Sequence, residues 1–297
     1  MTAGADPVPS ITLRHDAEGL ASAYPALLAD ARRLAQAVHP GLHGRRRVGQ
    51  GAEFWQYRDA RPGDEARHVD WRRSARSDQH YLRELEWQAA QTVQFWADGA
   101  ASMSYRSAAG LPAKAARARL LAMALAVLLE RGGERIGLAD GRVPPRAGAA
   151  QLLRMAEGLT ADVAAADYGT PAASGLVAQG HAVFLSDFFG DHAALSATVL
   201  SAADKGVEGL LVQVLDPTEV SFPFAGRAIF QSMGNGLRHE TKEAAALGPR
   251  YLERLAARQD ALVALAQKTG WHYFRHQTDQ PAQQALLWLF QAMERKR

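Results

Sequence analysis

From Thr92 onward the chain alternates short apolar runs with longer helical ones, and this alternation constrains the fold more than any other feature. Thr92 to Ala97 alternates Val93, Phe95 and Ala97 as a buried strand does, and His181 to Ser186 and Val207 to Leu215 are apolar runs of strand length. Arg135 to Ala139, Arg227 to Gln231 and Trp271 to Arg275 are shorter strands. Between them lie helices over Pro112 to Arg131, Ala149 to Glu157, Ala193 to Asp204, Gly248 to about Lys268 and Pro281 to about Arg295. Strands that recur between helices predict a doubly wound α/β fold, a mostly parallel sheet covered on both faces. The chain has 297 residues, 47% of them hydrophobic, which is enough to bury a large core.

Upstream the pattern changes. Met1 to Thr12 has no periodicity and reads as a tail. Pro25 opens a helix whose apolar positions Leu27, Leu28, Ala31, Leu34, Ala35 and Val38 follow the 3.6 period, and His39-Pro40-Gly41 stops it. From Leu42 to Arg83 arginines alternate with acids, and Arg61-Pro62-Gly63-Asp64 marks a turn. Tyr81 to Trp87 alternates as a strand. These features divide the chain into residues 1–87, a helix and an Arg/Asp-rich segment, and residues 88–297, the α/β domain against which both the helix and the segment are expected to pack.

In an open α/β sheet, ligands bind where loops leave the carboxyl ends of the strands. Asp98 ends the first apolar strand and Asp187 ends the 181–186 strand, so both are expected at that edge. Asp98-Gly99-Ala100-Ala101-Ser102 resembles the Asp-x-Ser-x-Ser loop of von Willebrand factor A domains, in which one carboxylate and two hydroxyls hold Mg²⁺ or Mn²⁺. The resemblance implies a degenerate cation site formed by Asp98, Ser102 and Asp187, with Ala100 in place of one hydroxyl ligand. Such domains also use a Thr from an intervening loop, and neither Thr160 nor Thr170 stands in a matching context.

An ordered series of short motifs carries a second resemblance. It comprises Gly49-Gln50-Gly51-Ala52-Glu53-Phe54, Tyr57-Arg58, Arg61-Pro62-Gly63-Asp64, Arg67, Asp70-Trp71-Arg72 and Ala75-Arg76. It continues with Arg83-Glu84, Glu86, Leu185-Ser186-Asp187-Phe188 and Asp216-Pro217-Thr218-Glu219. From Leu28 to the C-terminus the chain resembles the bacterial domain-of-unknown-function family 58. That resemblance implies a von Willebrand factor A-like domain without catalytic activity and, as partner, a MoxR-type AAA+ ATPase engaged in assembling or activating other proteins. Glu53, Arg58, Asp64, Arg67, Asp70, Trp71 and Arg76 then form either a polar surface for that partner or an internal network of bidentate ion pairs.

Other functions are less well supported. With no Cys, disulfides, thiolate metal sites and Cys nucleophiles are excluded. No His-Glu-x-x-His, Gly-x-Ser-x-Gly or phosphate-binding Gly-x-x-x-x-Gly-Lys loop occurs. A metal-dependent hydrolase using Asp98 and Asp187 is the alternative, and it lacks an evident general base. Arg45-Arg46-Arg47 with Phe54, Trp55 and Tyr57 could grip nucleic acid, but six acids in the same stretch would repel a polyanion. The apolar run Leu120 to Leu129 is far short of the roughly 20 residues that cross a bilayer, and the N-terminus has no export signal. The expectation is a cytoplasmic adaptor with no integral membrane segment.

Overall fold

The computed structural model describes residues 27–37, 45–49, 53–60, 69–75, 80–161, 166–234 and 238–294, with backbone alone for 45–49, 53–58, 83–89 and 294. The chain divides into two compact units, Leu42–Gln91 and the remainder.

The larger unit is built on five parallel strands: β4 (Thr92–Ala97), β5 (Arg135–Leu138), β6 (His181–Ser186), β7 (Glu208–Leu215) and β10 (His272–Gln277). Their spatial order is β10-β7-β6-β4-β5, and every neighbouring pair is parallel. The two-residue side-chain period divides the core between the faces. Val93, Phe95, Val183, Leu185, Leu210 and Val212 point to one face, and Ala182, Phe184 and Leu211 to the other.

Helix α3 (Lys114–Arg131) covers the first face, and its residues Leu121 to Leu129 are all buried. A helix apolar on every side must be enclosed; here α4 (Ala150–Thr160) and α8 (Ala282–Glu294) flank it against β4, β5 and β6. Helical residues 27–36, α1, add Leu28, Ala31 and Ala35 to the same cluster. Its apolar stripe thus completes the α/β core, and by contacts the helix groups with the larger unit. Helices α5 (His192–Asp204) and α7 (Gly248–Thr269) cover the second face.

The smaller unit holds a three-stranded antiparallel sheet in the order β1-β3-β2, from β1 (Arg45–Gly49), β2 (Glu53–Asp59) and β3 (Tyr81–Ala89). The sequence shows only the last of these, because charged residues hide the alternation of the other two. The four-residue helix α2 (Trp71–Ser74) precedes β3. Among the described residues no helix is long and apolar enough to cross a membrane.

One buried titratable group gives the fold a pH dependence. His276, on β10, is 1% exposed, and its Nε2 lies 3.2 Å from Arg117 Nη1. Burial first and the neighbouring guanidinium second push its pKa down to about 4. The unfolded chain takes up this proton near pH 6.5 and the native chain only near 4, so stability is lost as pH falls through that window. The loss reaches about 3 kcal/mol at the acid end. Urea unfolding at pH 7 and pH 4 should show it, and His276→Gln should reduce the difference by about that amount.

Candidate functional site

The chain passes from β4 to β5 on one side and then to β6 on the other, so the connections diverge between β4 and β6. The crevice outside the carboxyl ends of these two strands is the place where an open parallel sheet receives ligands. Asp98 follows β4 and Asp187 follows β6, on neighbouring strands, so the expected meeting of these two acids at one sheet edge is found.

Asp98 is 1% exposed and its carboxylate is fully engaged. Oδ1 accepts the Ala100 N–H at 2.8 Å, and Oδ2 accepts the Ser186 hydroxyl at 2.7 Å. Burial raises its pKa, partly offset by the bonds from Ser186 and Ala100, and Asp187 raises it further. Gly169 is needed for its size: a Cβ there would sit 2.2 Å from Asp98 Oδ1 and 2.6 Å from Cγ. Gly169→Ala is therefore expected to cost about 1–3 kcal/mol through overpacking. The check is a lowered denaturant midpoint with an unchanged slope.

Asp187 is turned differently. Phe188 takes the left-handed φ of 54°, uncommon for a bulky residue, and the reversed chain brings the Phe189 N–H to within 3.0 Å of Asp187 Oδ1. Asp187 Oδ2 accepts from Lys114 Nζ at 2.9 Å, and the same ammonium donates to Glu219 Oε1 at 2.6 Å. Lys114 is the first residue of α3 and 1% exposed. Burial opposes its charge, but Asp187 and Glu219 outweigh burial and hold its pKa above the usual lysine value. Glu219 belongs to α6 (Pro217–Ser221), where its Oε2 accepts the Asp216 N–H at 2.9 Å in a capping box. Burial raises the Glu219 pKa, and Lys114 partly reverses that.

Ser102 lies in the turn Ala101–Ser104, held by its N–H to the Asp167 carbonyl at 2.9 Å; its hydroxyl is buried without a partner among the described residues. A divalent cation needs several oxygens free to face it. Position 100 offers a methyl group, both Asp98 oxygens are engaged, and Asp187 faces an ammonium. Among the described residues no group of three or more His, Cys, Asp or Glu is arranged to hold a metal. The donors do not fit a resident Mg²⁺ or Mn²⁺, because Lys114 already supplies the positive charge.

In front of the triad lies a cavity of about 630 Å³, walled by rings that include Phe222, Phe224, Phe230 and Tyr251, with Lys114, Glu219 and Asp167 among its polar lining. Part of the wall comes from the antiparallel pair β8 (Ala228–Gln231) and β9 (Arg238–Thr241).

The polar residues expected in the smaller unit are only partly visible. Asp64, Arg67 and Arg76 lie outside the described residues, and Glu53 and Arg58 are backbone positions on β2, opposite Glu86 and Leu82. Asp70 caps α2, accepting the Arg73 N–H at 3.0 Å, and the exposed Trp71 meets His80 edge-on. Lys114 and Glu219 were missed as site residues. Lysine in the first turn of an 18-residue helix was the available signal, since the helix dipole disfavours a cation there.

Fold and site together define a parallel, doubly wound α/β protein with a buried lysine held between two carboxylates at the switch point of its sheet. The chain belongs to the family described as "Protein of unknown function DUF58", whose profile matches residues 56–261. It is 29% identical over 210 residues to the uncharacterized proteins Rv1480 of Mycobacterium tuberculosis and Mb1516 of Mycobacterium bovis. The match covers 65% of this chain and 64% of each relative's length. Among solved structures it is similar to the conserved hypothetical protein BatB from Bacteroides thetaiotaomicron, with 15% identity and a TM-score of 0.37 over 69% of this chain and 98% of that one. An aerotolerance-related membrane protein from Bacteroides fragilis gives 15% identity and a TM-score of 0.38 over the same shares.

Proposed function

We propose that this protein is a non-enzymatic adaptor whose von Willebrand factor A-like domain presents the carboxyl edge of its sheet to a protein partner. The observation that carries this reading is the triad of Lys114, Asp187 and Glu219 beneath an aromatic-walled cavity. A catalytic base or nucleophile must be free to exchange a proton or attack. The ammonium and both carboxylates are instead occupied with one another, and the rings above them offer area for contact. The family resemblance names a MoxR-type AAA+ ATPase as the partner, in the cytoplasm.

Because Lys114 replaces the cation, partner capture should not need metal. The full chain and the MoxR-type ATPase of the same organism, mixed with ATP, are expected to elute as one complex both with Mg²⁺ and after EDTA quenching of the preformed complex. Separate elution in every nucleotide state would remove this partner. Dissociation on EDTA, reversed by Mn²⁺ without nucleotide, would restore a cation to the interface.

A further inference from the structure

The polar groups that line the cavity balance one another. Two acids, Asp167 and Glu219, stand against two bases, Lys114 and Arg238. The deep groups are also paired: Lys114 Nζ donates to Glu219 Oε1 at 2.6 Å, and Glu219 Oε2 accepts the Asp216 N–H at 2.9 Å. The Tyr105 hydroxyl lies 3.0 Å from Thr218 Oγ1. An incoming charge of either sign would meet a like charge in the wall and a deep ion pair already satisfied, and a charge taken from water without a partner is costly. The complementary occupant is uncharged.

The walls are aromatic and already assembled. Phe222 stacks on Phe230 of β8, with ring centroids 5.7 Å apart, and lies against Tyr251 of α7 at 4.9 Å. The strand-end loops add Phe189 and Tyr105, whose ring centroids lie 5.2 and 5.9 Å from the Lys114 ammonium. An aromatic occupant meets ring faces and edges here, and offset or edge-to-face contact adds to what area burial alone supplies. At about 630 Å³ the cavity admits a ring side chain together with part of its backbone.

At the mouth the apolar surface continues outward. A Cβ on Gly234 would lie 1.9 Å from Asp167 Oδ1, so the turn after β8 rests against the loop that carries Asp167 and Tyr168. Tyr168 and Met233, the sequence neighbours of that contact, line the cavity and are 42% and 46% exposed. A free aromatic molecule inside the cavity would leave these two side chains in water. A protein that inserts one ring also covers them, and aromatic and methionine side chains are enriched in protein interfaces around such anchors.

We infer that the cavity over Lys114 and Glu219 is a receptor for an uncharged aromatic side chain of the partner protein. This rests on the adaptor reading and specifies the chemistry the partner must present. The ring packs on the Phe222 and Phe189 walls, and the chain on either side of it passes over Tyr168 and Met233. Lys114 and Glu219 stay bonded to each other in the floor.

The test uses the full chain and a Gly/Ser heptapeptide, blocked at both ends, whose central residue is 4-fluorophenylalanine; its fluorine resonance broadens on binding. Unlabelled peptides with phenylalanine, cyclohexylalanine, lysine or glutamate at the centre compete with it. Cyclohexylalanine keeps the outline of phenylalanine and is more apolar, so burial of area alone would favour it. Phenylalanine should displace the reporter at about 3-fold lower concentration than cyclohexylalanine, through ring contacts that only it makes. Against lysine or glutamate, whose charges must leave water, the advantage should be at least about 10-fold. Phe230→Ala and Tyr168→Ser should each weaken reporter binding about 3-fold through the lost ring contact. Tyr168→Ser alters an exposed side chain and so remains informative if Phe230→Ala is unstable.

A cyclohexylalanine, lysine or glutamate peptide that competes as well as phenylalanine, or reporter binding unchanged in both variants, would overturn the inference. The two readings fail separately. An ATPase complex that survives saturating phenylalanine peptide removes the receptor and leaves the adaptor. Phenylalanine-selective binding without an ATPase complex leaves the receptor and removes that partner.

Discussion

Lys114→Met is expected to destabilise the protein by about 3–5 kcal/mol, because it leaves Asp187 and Glu219 buried without the cation that balances them. The pH dependence identifies the cause. In the wild type, a lysine whose folded pKa is raised contributes fully below its unfolded value of 10.5, and that contribution is lost as pH rises through the higher folded value. In the variant Glu219, which burial already raises, loses the ammonium that partly reverses that shift, so it gains a proton more readily than in the unfolded chain. The variant's deficit should therefore shrink as pH falls from 7 to 4, opposite to the trend expected from His276. Adding Asp187→Asn and Glu219→Gln should recover part of the loss at neutral pH, since neutral amides need no counter-charge. Urea unfolding of the single and triple variants at pH 7 and 4.5 measures both effects; a deficit that does not vary with pH would place the cost in packing.

Trp271→Ala is the second large effect, expected at about 3–5 kcal/mol. Trp271 is 2% exposed, donates its indole N–H to the Val207 carbonyl at 3.0 Å and lies 5.2 Å from the Phe184 ring centroid. Its ring covers Gly209 so closely that a Cβ there would come within 2.5 Å of it. The β7 backbone and the indole are thus fitted to one another, and neither alanine at 271 nor a larger residue at 209 restores the contact. Truncation leaves a void on the second face and an unpaired Val207 carbonyl. The expected signature is a lowered thermal midpoint with retained far-ultraviolet circular dichroism, because the sheet's own hydrogen bonds are untouched.

Neither effect can be read from the residues alone. Trp271 stands at the start of the strand expected over Trp271 to Arg275, but its closeness to Gly209 depends on the parallel register of β7 and β10. Lys114 stood inside a helix correctly anticipated over residues 112–131, with nothing local to show its partners. Those partners lie 73 and 105 positions away. Glu219 was visible as the end of the Asp-Pro-Thr-Glu motif, where its capping role concealed the second bond it makes to Lys114.

The elements of the larger unit were legible because each rests on local physics. A two-residue alternation marks β4, a continuous apolar run marks the doubly covered β6, and Gly-Gly after Arg131 ends α3. In the smaller unit the same reading found β3 and missed β1 and β2, whose charged residues have no apolar period. The partner of the N-terminal helix was hidden for a related reason. The stripe on 27–36 announced that a surface would be buried, but not which core would bury it.

Periodicity and strand ends were enough to infer a parallel sheet and the convergence of Asp98 and Asp187 at one edge, since side-chain direction and crossover geometry follow from neighbouring residues. The charge at that edge was decided by folding. Whether two acids hold a metal, a proton or an ammonium depends on which distant side chain is buried beside them, and here packing of α3 against the sheet brings in Lys114. Coulomb energies in a dry interior depend on distances through space, which the order of residues along the chain does not contain.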